Sequence, residues 1–261
     1  MPEARELAGR RALVTGASRG IGRGIALELA AAGADVVVNY RRDEESAAEV
    51  VAAVAAAGAR AVALQGSVSE IDALEDLAAQ AAAELGPIDL LVLNAGIASR
   101  GDDIAGTDPA ELQRVVATHA LGAHRLTQLL LPGMRAAARG DVIAISSSEL
   151  AAMRARGGPY NMAKAALEAM VLTLAHEEAG NGVHANIVAP GLVVTDMGSR
   201  LVKAKLGLDD ISELDADQPF GRLCRPADIG RAVVFLASDA AAMVTGRRLV
   251  VDGGADASPT G

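Results

Sequence analysis

Very little in this chain can stack, cross-link or span a lipid bilayer. Among its 261 residues aromatics make up 2 %, with two tyrosines, two phenylalanines and no tryptophan. Platforms that stack nucleic-acid bases are built from such rings, and a net charge of −9 is the wrong sign for a protein that needs a basic face. The single cysteine, Cys224, precludes an intrachain disulfide, as befits a reducing compartment. No apolar run approaches the roughly 20 residues of a membrane helix. Residues 1–11 mix charges of both signs and lack the apolar stretch of a signal peptide. The four histidines (His119, His124, His176 and His184) show no metal-ligand spacing, so no metal site is expected. These absences predict a cytoplasmic protein without nucleic-acid or membrane partners.

Hydrophobic residues supply 51 % of the chain, enough for a large core. They are grouped in short continuous runs at 12–15, 35–39, 61–65, 89–93, 141–146, 184–188 and 249–251. Continuous rather than alternating apolar residues belong to strands covered on both faces. Between them, residues 23–32, 44–57, 71–85, 109–138, 159–178 and 226–237 carry helical patterns. Strand–helix alternation from end to end predicts an α/β fold, a doubly wound parallel sheet of about seven strands in one Rossmann domain over 1–261. Residues 1–10 and 255–261 read as frayed tails. The helix at 159–178 is apolar nearly all round, and 115–131 is poor in charge. A helix covering one sheet face should be polar outside. Burial between subunits, hence a homo-oligomer, explains this better than a crowded monomer core.

Directly after the first strand stands Thr15-Gly16-Ala17-Ser18-Arg19-Gly20-Ile21-Gly22. Glycine lets backbone approach a phosphate, and the free N–H groups of the helix that follows hold an anion. No Gly-Lys-Ser/Thr follows, so this is not a Walker loop. A carboxylate at the end of the second strand would bond the adenosine ribose and repel a 2′-phosphate. Here Asn39-Tyr40-Arg41-Arg42 occupies that place. Arg19 and Arg41 are expected to clamp a 2′-phosphate by charge-assisted bonds, which favours NADP(H) over NAD(H).

Farther along, Tyr160 and Lys164 are four apart and share a helix face. Phenol, with a pKa of about 10, exchanges protons poorly at neutral pH. A cation about 4 Å away at an effective dielectric near 20 contributes roughly 4 kcal/mol. That would lower the phenol by roughly three pKa units, toward the range of a working general acid.

Taken together these motifs resemble the short-chain dehydrogenase/reductase family along essentially the whole chain. The resemblance rests on the segment 15–22, Asn94-Ala95-Gly96, Tyr160-x-x-x-Lys164, Pro190-Gly191 with Thr195, Gly221-Arg222-Leu223 through Pro226, Asp228 and Ile229, then Thr245-Gly246 and Asp252-Gly253-Gly254. It implies cofactor contacts from Gly16, Ser18, Arg19, Gly20, Ile21, Gly22, Arg41, Asn94, Ala95, Gly96, Tyr160, Lys164, Pro190, Gly191, Val193 and Thr195. It also implies a catalytic Ser147, thirteen residues before Tyr160, although Ser146 and Ser148 compete on sequence alone. Two positions depart from the family pattern. Ser67 replaces an adenine-contacting Asp. His119, in Ala117-Thr118-His119-Ala120, stands where the family has an Asn whose main-chain carbonyl holds a relay water. A carbonyl survives substitution and imidazole can shuttle protons, so His119 is counted with the catalytic residues.

The resemblance is broadest to 3-oxoacyl-carrier-protein reductases and to glucose and alcohol dehydrogenases. The expected activity is an NADP-dependent ketoreductase or alcohol dehydrogenase, passing hydride between NADP(H) and a carbonyl or secondary alcohol. Tyr160 would be the acid/base, Lys164 would tune it and Ser147 would polarise the carbonyl. The expected partners are a small-molecule substrate and further copies of the chain, as a homotetramer. Residues 195–220 are expected to form a mobile lid on the substrate side. Arg135 and Arg139 are candidates for docking an acidic carrier protein. The competing reading is a dinucleotide-binding scaffold or redox sensor whose chemistry has faded, with His119 and Ser67 in its favour.

Overall fold

The computed structural model describes residues 5–255. Seven strands form one parallel sheet: β1 (Arg11–Val14), β2 (Asp35–Tyr40), β3 (Ala61–Gln65), β4 (Leu90–Leu93), β5 (Gly140–Ile145), β6 (Val183–Pro190) and β7 (Arg248–Val251), in the order β3-β2-β1-β4-β5-β6-β7. Each central strand is buried on both faces, which is why the apolar runs are continuous. The helices are α1 (Gly20–Ala31), α2 (Glu44–Ala56), α3 (Leu74–Leu85), α4 (Pro109–Val116), α5 (Gly122–Ala136), α6 (Gly158–Glu178), α7 (Asp196–Leu206) and α8 (Pro226–Ala237). One core layer holds Leu29, Val36, Ile143 and Val233; the other holds Leu13, Leu91, Leu126 and Leu167. The order reverses between β1 and β4, so a crevice opens at their carboxyl ends, where ligands bind in such sheets.

Two expectations need correction, and a third gains detail. The stretch 109–138 is not one helix, because Ala117–Leu121 forms a π-turn between α4 and α5. Residues 5–10 are anchored rather than frayed: Leu7 is buried, and Arg10 bonds Asp89 at 2.6 Å and Asp141 at 2.8 Å. Much of 195–220 is also built structure. Thr195 caps α7 by accepting from the Gly198 N–H at 3.1 Å, and Val202, Ile211 and Leu223 make a small core of their own. The rest of the expected tails, 1–4 and 256–261, lies outside the described residues.

Candidate active site

The glycine-rich turn is held open by its neighbours. Gly16 has φ +64°, a conformation that side chains disfavour, and Gly22 sits so close to the loop that a Cβ would fall 2.3 Å from the Gly16 carbonyl. Asn94 donates to the carbonyls of Thr15 at 2.8 Å and Gly16 at 3.2 Å. Thr15 Oγ1 accepts from the Asn94 and Ala95 N–H groups at 2.9 and 3.0 Å. Asn39 completes the cradle, accepting from the Gly16 N–H at 3.3 Å and donating to Leu64 and Gly66 carbonyls. Neither Thr15 nor Asn39 was picked out as a site residue. The sequence does put Asn39 where a carboxylate is usual, and that was a usable signal.

Around this cradle gather the other cofactor candidates. Ser18 is buried and Arg19, exposed, precedes α1, whose first turn receives no side-chain cap among the described residues. Ile21 lies in that first turn. Gly20 approaches Thr195, with a Cβ position 3.5 Å from its methyl group, so α7 meets the loop. Arg41 is exposed just past β2, and Arg19 acts electrostatically on Asp43, so both arginines flank the β2–α2 turn. Pro190 ends β6, Gly191 packs on Asp252 and Val193 is buried beside Cys224. Ser67 spends its hydroxyl on Ser69, 3.0 Å away. A glycine cradle at an uncapped helix start fits a dinucleotide phosphate.

The four candidate catalytic residues come together at the carboxyl ends of β4 and β5. Tyr160, in the first turn of α6, interacts with the Ser147 hydroxyl. Ser146 points elsewhere, donating to Glu168 at 2.5 Å. Lys164 is buried at 4 % exposure; its Nζ donates to the Ile145 carbonyl at 2.6 Å and stands 5.8 Å from the centre of the Tyr160 ring. The expected lowering of the phenol is not found. Burial pushes Tyr160 up, Ser147 opposes that, and the Glu149 carboxylate adds to it. Burial also pulls Lys164 down to about 8, with Glu168 resisting. The lysine answers to the end of β5 and to Glu168 as much as to the phenol.

His119 faces Tyr160 edge-on, ring centres 5.4 Å apart at 84°. It is 3 % exposed, and its Nε2 lies 3.0 Å from the Ile97 N–H and 2.9 Å from the Ile97 carbonyl. Burial, then the Lys164 charge, pulls it down to about 3, so the ring is neutral at physiological pH. A shuttle through imidazolium is therefore disfavoured. The Nδ1 atom is buried without a partner among the described residues.

The arginines considered for carrier docking are already engaged. Arg135 forks onto Glu178 at 2.8 and 2.5 Å, and Arg139, half-buried, forks onto Asp141. Among the described residues no group of three His, Cys, Asp or Glu gathers as a metal site, and no helix is long and apolar enough to cross a membrane.

A doubly wound sheet with a glycine cradle at its switch point defines the dinucleotide-binding class. The comparisons narrow it. The family model described as enoyl-(acyl carrier protein) reductase matches residues 16–256. Versicolorin reductase 1 of Dothistroma septosporum is 36 % identical over 260 residues, 95 % of this chain and 97 % of that one. A 3-oxoacyl-[acyl-carrier-protein] reductase of Staphylococcus epidermidis is 35 % identical over 250 residues, 94 % and 98 % of the two chains. Among solved structures, a Sinorhizobium meliloti chain described as a short-chain alcohol dehydrogenase superposes with TM-score 0.88 at 37 % identity, covering 98 % and 99 %. A 7α-hydroxysteroid dehydrogenase complexed with NADH and a 7-oxo bile acid gives 0.87 at 31 %, covering 96 % of each chain. This chain belongs to the short-chain dehydrogenase/reductase family.

Proposed function

We propose that the protein is an NADP(H)-dependent oxidoreductase that interconverts a carbonyl and a secondary alcohol. The observation that carries the reading is the convergence of Ser147, Tyr160 and Lys164 beside the glycine cradle, in a chain of this family. The nicotinamide, when bound, supplies or accepts the hydride. Ser147 donates a hydrogen bond to the substrate oxygen as charge develops there. Tyr160 gives its phenolic proton to that oxygen in reduction and takes it back in oxidation. Lys164, protonated below about 8, favours the phenolate that forms. His119, carried on the π-turn, braces the Tyr160 ring as a neutral imidazole.

Preference for NADP(H) is supported by Arg19 and Arg41 flanking the β2–α2 turn and by Asn39 where a repelling carboxylate would sit. Among the relatives, one solved structure carries NADH, and the phosphate preference has its own test below. A small-molecule ketone, rather than a carrier-bound thioester, agrees with the engagement of Arg135 and Arg139 and with the versicolorin reductase and hydroxysteroid dehydrogenase among the relatives.

The test follows NADPH absorbance against a panel of cyclic ketones, sugars and acyl thioesters. At least one carbonyl should oxidise NADPH, and Tyr160→Phe should lower kcat by on the order of 1000-fold while NADPH still binds. Arg41→Ala should weaken NADPH about 10- to 100-fold and leave NADH nearly unchanged. NADPH binding with no turnover, and no effect of Tyr160→Phe, would instead describe a scaffold or sensor.

A further inference from the structure

Behind the site lies a polar cluster that the reaction itself does not call for. Glu168 is one helical turn beyond Lys164, as Lys164 is beyond Tyr160, so the three form one stripe along α6. Its carboxylate is well buried, with 13 % of the side chain exposed. One oxygen, Oε1, accepts from Ser146 Oγ at 2.5 Å and from Arg248 Nε at 3.0 Å. Arg248, on β7, uses its second arm to donate to the Ser147 main-chain carbonyl at 2.7 Å. A rigid guanidinium fork thus joins β7, the end of β5 and the α6 stripe.

We propose that Glu168 and Arg248 are a positioning pair that fixes the main chain of Ser147 and holds the charge of Lys164, acting on the reaction through those two residues. This inference rests on the reading of Ser147, Tyr160 and Lys164 given above. Three physical points carry it. Ser147 is extended, with φ −158° and ψ 142°, and a bond to its carbonyl anchors the main chain from which its side chain projects. Arg248 is the side chain that grips that carbonyl, which otherwise accepts a 3.3 Å bond from the Leu150 N–H. A largely buried carboxylate bonded to a guanidinium is held firmly, because breaking one side strands the other charge. Finally, a full negative charge one turn from a buried ammonium keeps that ammonium protonated.

The other charged and titratable groups around Lys164 act differently. Tyr160 is its neighbour on α6, His119 on the π-turn is neutral, and Glu149 on the Ser147 side acts on the phenol. Glu168 and Arg248 therefore make opposite contributions to one electrostatic balance. Replacing the carboxylate eases proton loss from both Lys164 and Tyr160. Replacing the arginine unmasks the carboxylate and hinders it.

The test uses Glu168→Gln, Arg248→Met and Arg248→Lys, with two readouts. The first is the pH profile of kcat. The second needs no turnover: phenolate absorbance in a Tyr40→Phe background, where Tyr160 is the remaining tyrosine. Glu168→Gln should move the alkaline limb and the phenol titration down by about one pH unit, and Arg248→Met should move both up by a similar amount. Both should lower kcat at least tenfold with KM changed less than threefold. Arg248→Lys, which keeps the charge but not the fork, should keep the wild-type limb and lose kcat. If Arg248→Met does not fold, a lowered limb and phenol titration in Glu168→Gln beside an unmoved limb with reduced kcat in Arg248→Lys carries the same contrast. Shifts in the same direction that track melting temperature, or no shift in either readout, would overturn the pair. Should the phenol titrations move as expected while Tyr160→Phe leaves turnover intact, the pair stands and the catalytic reading fails.

Discussion

Gly96 and His119 are fitted to each other at atomic distance. A Cβ on residue 96 would fall 2.5 Å from His119 Cε1 and 3.1 Å from Nδ1, closer than carbon atoms pack. The imidazole is also held by its other neighbours, since the Tyr160 ring stands edge-on to it and Ile97 holds Nε2. Gly96→Ala should therefore push the ring into Tyr160 and lower kcat by about 100-fold, with smaller loss of NADPH affinity. Asparagine is shorter than histidine and relieves the clash. In a His119→Asn background the same alanine should cost less than about tenfold, and that non-additivity is the signature of direct contact. Equal losses in both backgrounds would mean that the glycine serves only the cofactor. The glycine was legible from its motif, and so was the histidine as a departure. Their contact was not, because it depends on the π-turn that aims residue 119 inward.

At the scale of elements, local chemistry decided what the sequence could tell. The strands were readable because runs such as Val36–Val38 are apolar without interruption, and a doubly covered sheet requires that. The spacing from Ser147 to Tyr160 was readable because both lie near one strand end. Ala117–Leu121 was not, since Ala and Leu suit an α-helix and only tertiary packing selects the wider turn. Arg248 and Glu168 are 80 residues apart, and no local pattern announces their bond. The start of α8 illustrates the local case. Asp228 takes both arms of Arg222 at 2.6 and 2.9 Å and the Arg225 N–H at 2.8 Å, so its carboxyl is held down to about 2. A carboxylate depressed in the fold contributes stability that is fully present above its ordinary value near 3.8 and is lost as pH falls toward 2. After allowance for solvent screening, Asp228→Asn should cost about 1 kcal/mol at neutral pH. Urea midpoints should show the variant converging on the parent as pH falls from about 4 to about 2. A constant gap through that window would mean that the cap, not the charge, matters.

Over the whole molecule, the two ends of the sheet do different jobs. At the amino ends of the strands, Arg10 and Arg139 converge on Asp141 and bond carbonyls at the end of α8, Ala237 for Arg10 and Leu236 for Arg139. That clasp ties β1, β5 and α8 together far from the glycine cradle. The chemistry sits at the opposite rim, where α6 passes with its buried side on the core and Lys164 among those buried residues. Its other side is unusual. Met162 is 54 % exposed and Leu172 37 %, and the exposed alanines 166 and 169 lie between them. Residues 162, 165/166, 169 and 172/173 recur at the spacing of a helix–helix seam, and alanines at its centre allow close approach. A solvated helix would carry charge there. We therefore expect the chain to pair through α6 with a second copy and to assemble further into a tetramer. Light scattering at micromolar concentration should report four times the 26.4 kDa chain mass. Ala169→Glu places a carboxylate at the centre of the seam and should reduce the mass to that of a dimer or monomer while far-ultraviolet circular dichroism is kept. Because Tyr160, Lys164 and Glu168 ride on this same helix, loss of assembly should also lower kcat through their alignment. A parent chain that runs as a monomer, or an Ala169→Glu variant of unchanged mass, would remove α6 as the assembly face.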